Sequence, residues 1–135
     1  MAGYSGTPLA KKLGIKDGHR VGLINPPDEF AALVEPLPEG VEMVAGVRSR
    51  RDVVVAFLRE RGELEWKLTA MTKAVFPDGA IWIAWPKKAS KVPTTITEDI
   101  VREVALPTGL VDNKVCAIDD TWSGLRLVVR RENRR

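Results

Sequence analysis

Basic, amide and aromatic side chains follow three apolar stretches of the sequence, at the positions where strands are expected to end. A guanidinium can grip a phosphate or carboxylate through two parallel hydrogen bonds, and an ammonium adds a compact positive charge. These residue types therefore predict a binding site for an anionic small molecule. The alternative, that these charges are solvated loop residues, is the commoner role of surface Arg and Lys. The candidate ligand-binding residues are Asn25, Pro26, Arg59, Arg61, Trp85, Lys87 and Lys88.

Two apolar runs have the pattern of strands that are covered by helices on both faces. Residues 53–58 and 80–85 are apolar at successive positions, and the second run lies between a Pro77-Asp78-Gly79 turn and Pro86. Such short runs, bracketed by turn residues, belong mainly to parallel sheets. Residues 63–75, between the two runs, carry apolar side chains at helical spacing.

Apolar periodicity and turn residues predict six strands and four helices in all. The strands cover residues 20–25, 41–44, 53–58, 80–85, 114–119 and 125–129, and the helices cover residues 7–14, 29–35, 63–75 and a segment ending near residue 105. Strands alternate with helices through the fifth strand, which predicts a mainly parallel sheet with right-handed crossovers. Only about five residues separate the last two strands, too few for a crossover, so they must form an antiparallel hairpin.

Several side chains mark the ends of these elements. Thr7 and Asp28 are the predicted caps of the first two helices, and Thr95 or Thr97 is the predicted cap of the fourth. Trp122 falls in the predicted hairpin turn, where we expect it to fold back over the sheet instead of standing free as a partner anchor.

Composition excludes several classes of protein. The chain has 135 residues, 44% of them hydrophobic, and a net charge of +3. This length and composition fit a single domain, which we expect to be an α/β domain over residues 1–135. We expect the basic tail at 130–135 to be frayed. One Cys and one His allow neither an intramolecular disulfide nor a Cys/His zinc array. No apolar run approaches the roughly 18–20 residues that span a bilayer, and no signal pattern begins the chain, so a cytoplasmic location is expected. No catalytic or metal-binding constellation is predicted.

The order of elements resembles the second half of a Rossmann-type methyltransferase. The resemblance rests on residues 52–58, the following helix, the Pro77-Asp78-Gly79 turn with its strand, and the hairpin over residues 115–129. It implies a three-layer fold with strand order 2-1-3-4-6-5. That family holds S-adenosylmethionine on a Gly-rich turn after strand one and an acid ending strand two. Here Asn25-Pro26-Pro27 follows strand one and Val44-Ala45-Gly46 ends strand two, so no cofactor is expected.

A second resemblance covers nearly the whole chain. Residues 3–15, 85–90 and 109–117 are similar to an uncharacterised bacterial family, DUF3052. This resemblance implies no activity.

The implied strand order places a ligand crevice between strands one and three, because open α/β sheets bind ligands where the strand order reverses. The first hypothesis is a non-enzymatic module that binds an anionic small molecule or a protein partner there. The second is a divergent S-adenosylmethionine-dependent methyltransferase. The third, nucleic-acid binding through residues 48–51, Lys87, Lys88 and the tail, ranks last because these charges are dispersed among acids. The sequence leaves oligomeric state open.

Overall fold

Six strands form one mixed sheet in a computed structural model that describes residues 7–135. The strands are β1 Arg20–Ile24, β2 Glu42–Ala45, β3 Val53–Phe57, β4 Ala80–Pro86, β5 Leu110–Ala117 and β6 Trp122–Val129. Their order is β2-β1-β3-β4-β6-β5, as predicted. The first four strands are parallel, and β6 pairs antiparallel with both β4 and β5. The predicted α/β fold class and strand order are confirmed.

Helices cover both faces of the sheet. Residues 7–135 form four α-helices: α1 Leu9–Lys12, α2 Phe30–Leu33, α3 Arg61–Val75 and α4 Glu98–Ala105. Buried side chains of α3 and α4 pack in one apolar cluster with alternate residues of β3 and β4, whereas those of α1 and α2 pack in a second cluster with the intervening residues. The result is the expected three-layer arrangement.

Strand β4 lies at the centre of both clusters. All seven of its residues are buried, which explains the unbroken apolar run in its sequence. Trp82 packs towards α1 and donates from Nε1 to the carbonyl oxygen of Leu13 at 2.9 Å. Trp85 packs on the opposite face, with the α3 and α4 side chains. The strand therefore joins the two layers of helices through its two tryptophans.

The helix caps differ in part from those predicted. Thr97 caps α4, because its hydroxyl accepts from the backbone N–H of Ile100 at 3.1 Å. Thr95 instead accepts from the backbone N–H of Arg61 at 2.7 Å, so it satisfies the first turn of α3 from a distant loop. The predicted caps Thr7 and Asp28 are wrong: α1 begins after Pro8 and α2 after Glu29, neither with a side-chain cap.

The β2–β3 connection is a loop built around a buried arginine. The side chain of Arg51, only 4% exposed, donates from Nε to the carbonyl oxygen of Gly46 at 3.1 Å and from Nη1 to Oγ of Ser49 at 2.7 Å. Arg51 lies directly over Gly22 of β1, where an added Cβ would approach the Gly46 oxygen to 2.6 Å. The glycine therefore makes room for the guanidinium beside the sheet.

The C-terminal hairpin begins earlier than predicted and its tail is anchored. Strand β5 starts at Leu110 and shifts register between Asp112 and Lys114. A 3₁₀ turn over Arg131–Asn133 follows β6, and Arg134 donates from Nε to the carbonyl oxygen of Val129 at 2.8 Å. Side chains of this segment bond back to the hairpin, and the expectation that residues 130–135 are frayed stays a prediction. Within residues 7–135 no helix has the length and apolar character needed to cross a bilayer.

Candidate functional site

A cavity of about 420 Å³ lies at the point where the strand order reverses, between the carboxyl ends of β1 and β3. This volume falls in the range of small-molecule sites. The residues that line it come from the β1–α2 turn, the end of β3, the β3–α3 loop, the start of α3 and the start of β6. They are Asn25, Pro27, Phe57, Arg59, Glu63 and Trp122.

Asn25 and Glu63 join two sides of the cavity. Asn25 follows β1 with a φ of 51°, in the left-handed region that Asn tolerates better than most side chains. Its Nδ2 donates to Oε2 of Glu63 at 3.1 Å. Glu63 lies in the first turn of α3, where the helix dipole favours a negative charge. The amide thus fixes one carboxylate oxygen of Glu63 and leaves the other without a protein donor among residues 7–135.

Arg59 combines an anchored backbone with a side chain that has no partner in the described part of the chain. Its carbonyl oxygen accepts from the backbone N–H of Thr95 at 2.8 Å and from Oγ1 of Thr94 at 2.7 Å. Its guanidinium makes neither a hydrogen bond nor an ion pair with any residue in the described range 7–135. The β3–α3 connection therefore holds the main chain in place and leaves a positive charge available at the cavity.

Aromatic rings form the apolar wall of the cavity. The ring centroids of Phe57 and Trp122 are 5.1 Å apart and nearly perpendicular, at 89°. Phe30 packs behind Phe57 at 5.2 Å, also edge to face. The backbone N–H of Trp122 donates to Oδ1 of Asp119 at 2.7 Å, which fixes the turn before it. Such edge-to-face contacts hold the two rings of the wall in a defined orientation.

Trp122 is the first residue of β6, whereas the sequence predicted that it lies in the hairpin turn. Its indole nevertheless packs against Phe57 over the sheet, so the expectation that it folds back is confirmed. Trp122 was not among the candidate site residues, because a turn position gave no reason to direct its ring towards the β1–β3 crevice.

Of the predicted ligand-binding residues, the cavity contains Asn25 and Arg59. Pro26 is exposed, and its neighbour Pro27 lines the cavity in its place. Trp85 is 7% exposed and packs with α3 and α4, so it is a core residue. The binding roles predicted for Asn25 and Arg59 remain predictions.

Arg61, Lys87 and Lys88 do not line the cavity. Arg61 pairs with Glu65 at 3.3 Å and with Glu103 at 3.2 Å. The hydrogen bond to Glu65, followed by the charge of Glu103, raises the pKa of Arg61. The backbone N–H of Lys87 donates to the Thr121 carbonyl at 2.7 Å.

Pro27, Phe57, Glu63 and Trp122 were missed by sequence reasoning. Phe57 ends β3 and Glu63 lies in the first turn of α3, four residues after Arg59. This proximity is a signal that could have found them. An acid such as Glu63 does not fit a site predicted for anions alone.

The main chain at the carboxyl ends of β1 and β2 offers few free hydrogen-bonding groups to a ligand. Pro26 and Pro27 have no N–H. The carbonyl oxygens of Ala45 and Gly46, where β2 ends, accept from the Arg51 guanidinium at 3.5 and 3.1 Å. In the neighbouring basic run, Arg50 pairs with Asp78 at 2.8 Å. Of the three guanidiniums in residues 48–51, those of Arg50 and Arg51 are thus engaged within the protein.

Two other residues singled out by chemistry lie away from the cavity. Nδ1 of His19 accepts from the backbone N–H of Lys16 at 3.1 Å in the turn before β1. Cys116 is buried in β5, and burial raises the pKa of its thiol. Across the described residues 7–135, His, Cys, Asp and Glu do not gather in any group of three or more that could hold a metal ion.

Solved structures of methyltransferases share this fold at low sequence identity. A SAM-dependent methyltransferase from Aquifex aeolicus is 14% identical with a TM-score of 0.67, and the match covers 90% of this chain and 88% of that chain. Magnesium protoporphyrin IX methyltransferase from Synechocystis, with bound SAM, is 9% identical with a TM-score of 0.62 over 90% of this chain and 74% of that chain. These similarities show the Rossmann-like α/β fold alone.

A third structure, Aeropyrum pernix fibrillarin with natively bound S-adenosyl-L-methionine, is 13% identical with a TM-score of 0.57, covering 93% of this chain and 70% of that chain. No curated protein sequence matches the chain. A family model described as "Protein of unknown function (DUF3052)" matches residues 10–131.

Proposed function

Because the chain belongs to the DUF3052 family of unknown function, and because a fold by itself assigns no activity, we propose its function from the cavity alone: it is a binding module for a small molecule that carries a phosphate or carboxylate. The site lies between β1 and β3, where α/β sheets of this kind bind ligands.

The observation that carries this proposal is the guanidinium of Arg59 at the cavity, which has no partner within residues 7–135. Arg61, two residues later, provides the contrast because two carboxylates already engage its side chain. An Arg with no acidic partner retains its five donors for a ligand, and its planar fork matches a phosphate or carboxylate. The anchored carbonyl of Arg59 supports the same role, since the main chain need not be reordered when a ligand binds.

S-adenosylmethionine is the ligand that the methyltransferase resemblance implies, and the residues here do not fit it. The turn after β1 presents Pro26 and Pro27, which offer no N–H to a cofactor. At the end of β2, where that family has an acid for the ribose, the Arg51 guanidinium bonds the carbonyls of Ala45 and Gly46. We therefore propose no methyl transfer.

Isothermal titration calorimetry tests the proposal with inorganic phosphate, adenosine monophosphate and 3-phenylpropionate as probes. We expect at least one probe to bind the native chain, and Arg59→Ala to weaken that binding by roughly tenfold to a hundredfold, the value of a charge-assisted hydrogen bond. Arg61→Ala is the matched control and should leave the affinity unchanged.

Two outcomes would contradict the proposal. One is the absence of heat, at millimolar concentration, with every titrated compound that carries a phosphate or carboxylate, amino acids included. The other is an equal loss of affinity in the two arginine variants. A titration with S-adenosylmethionine belongs in the same experiment. Binding of this compound about a hundredfold or more tighter than that of L-methionine, which shares its amino and carboxyl groups, would instead favour the methyltransferase alternative.

A further inference from the structure

Two opposite charges line the cavity without neutralising each other. Arg59 and Glu63 both belong to its wall, yet no ion pair joins them, or joins either of them to another residue of the described range 7–135. The contact of the Glu63 carboxylate is with a neutral amide, Nδ2 of Asn25 at 3.1 Å. The cavity thus presents a guanidinium and a carboxylate as separate binding groups.

This arrangement discriminates between kinds of anionic ligand. A ligand that is only anionic gains from Arg59 but is repelled by Glu63, because like charges at short range oppose each other at a partly desolvated site. A ligand that carries both an anion and a cation can satisfy both side chains. The charges of the cavity therefore favour an amphoteric molecule over a simple anion.

The rest of the wall adds an apolar requirement. Phe57 and Trp122 present two rings held edge to face, and Pro27 adds a third apolar surface. Aromatic walls of this kind bury flat or branched apolar groups, while a few polar groups fix a ligand's orientation. An amphoteric molecule with one apolar substituent matches all three components of the site.

Resting on the function proposed above, we infer that the ligand class of this cavity is a free α-amino acid, or a derivative with free amino and carboxyl groups, that carries an apolar or aromatic side chain. The carboxylate binds the Arg59 guanidinium and the ammonium binds the Glu63 carboxylate. The side chain packs against Phe57 and Trp122. Asn25 orients Glu63 through its existing hydrogen bond.

Calorimetry with three related compounds tests this inference. L-Phenylalanine carries both charges, 3-phenylpropionate lacks the ammonium and phenethylamine lacks the carboxylate. The native chain should bind L-phenylalanine about tenfold or more tighter than either analogue, since each analogue loses one charge-assisted contact. L-Leucine, titrated alongside, reports whether the apolar group must be a ring.

Glu63→Gln is the decisive variant, because glutamine keeps an acceptor for Asn25 and removes only the charge. It should reduce the preference for L-phenylalanine over 3-phenylpropionate to within about twofold, by removing both the ammonium partner and the repulsion of the anion. The matched control is Glu65→Gln, two residues along the same helix, where the carboxylate pairs with Arg61 outside the cavity. This control should leave the preference intact.

The possible failures are distinguishable. Binding of 3-phenylpropionate or phosphate as tight as that of the two amino acids would overturn the amino-acid inference and leave the proposed anion site in place. A preference that survives Glu63→Gln would do the same. No binding by any carboxylate or phosphate, or preference for phenethylamine over L-phenylalanine, would overturn both proposals.

Discussion

Replacing Gly22 by alanine tests how the buried arginine loop is packed against β1. The new Cβ would meet the carbonyl oxygen of Gly46 at 2.6 Å and Cδ and Nε of Arg51 at 3.1 and 3.0 Å. Real Cβ atoms essentially never approach another heavy atom closer than 3.0 Å, so the Gly46 peptide must move. That movement also lengthens the hydrogen bond from Nε of Arg51 to the Gly46 oxygen.

Two costs combine in this variant. Overpacking a buried site costs about 1–3 kcal/mol, and weakening a hydrogen bond from a charged donor costs up to about 1.5–3 kcal/mol. We expect Gly22→Ala to lower the free energy of unfolding by about 3 kcal/mol. Domains of this size are stable by roughly 5–15 kcal/mol, so the variant should still fold and its loss can be measured.

Urea denaturation followed by circular dichroism measures the change. With a slope of about 1.5–2 kcal/mol/M, the midpoint should fall by roughly 1.5–2 M. Gly62→Ala is the matched control, because its added Cβ meets no atom of residues 7–135 within 4 Å apart from its chain neighbours and the backbone of its own helix, and alanine stabilises a helix by up to about 1 kcal/mol relative to glycine. A Gly22→Ala midpoint equal to that of the native chain would refute the packing argument.

Thr95→Val removes the hydroxyl that accepts from the Arg61 backbone N–H at 2.7 Å, and should lower the free energy of unfolding by about 1 kcal/mol in urea titrations, as the loss of a helix cap does. Thr69→Val, at an exposed position of the same helix, should change it little, and equal effects would argue against the capping role. Burial raises the pKa of the Cys116 thiol, so as the pH rises the thiol loses its proton first in the unfolded chain. The free energy of unfolding should therefore decrease as the pH rises past about 8.5, the ordinary pKa of a Cys thiol. Urea titrations at about pH 7.5 and about pH 9.5 should show a smaller decrease for Cys116→Ala than for the native chain, and equal decreases would contradict this account.

The sheet topology could be predicted because two sequence features constrain it strongly. The unbroken apolar run of β4 requires cover on both faces, and the short gap between the last two strands excludes a crossover. The first and last residues of the hairpin strands were harder to predict from the sequence. Asp112 and Asn113 lie outside the predicted fifth strand of residues 114–119, yet they belong to β5, where a register shift and partial exposure accommodate polar side chains.

The candidate site was only partly predictable, and Trp85 shows why. The sequence shows that a residue lies at the end of a strand, but the face of the sheet on which its side chain lies depends on the strand register. Phe57 pairs with Ala84, so alternation sends Trp85 to the opposite face from the Phe57 ring. The burial of Arg51 likewise could not be predicted from the sequence, because a basic run in a loop normally indicates solvent exposure. No local sequence signal marks the carbonyl groups that surround its guanidinium.

The two outer strands limit how another polypeptide could join this protein. Strand β2 is only four residues long and places a charged pair, Glu42 with Arg20 at 3.2 Å, on its border. At the other border β5 is interrupted by its register shift, and Lys114 there donates from Nζ to the Lys12 carbonyl at 2.8 Å. Short, charged and irregular borders resist the addition of a foreign strand. Fibre-like stacking through the sheet is therefore disfavoured at both of its borders.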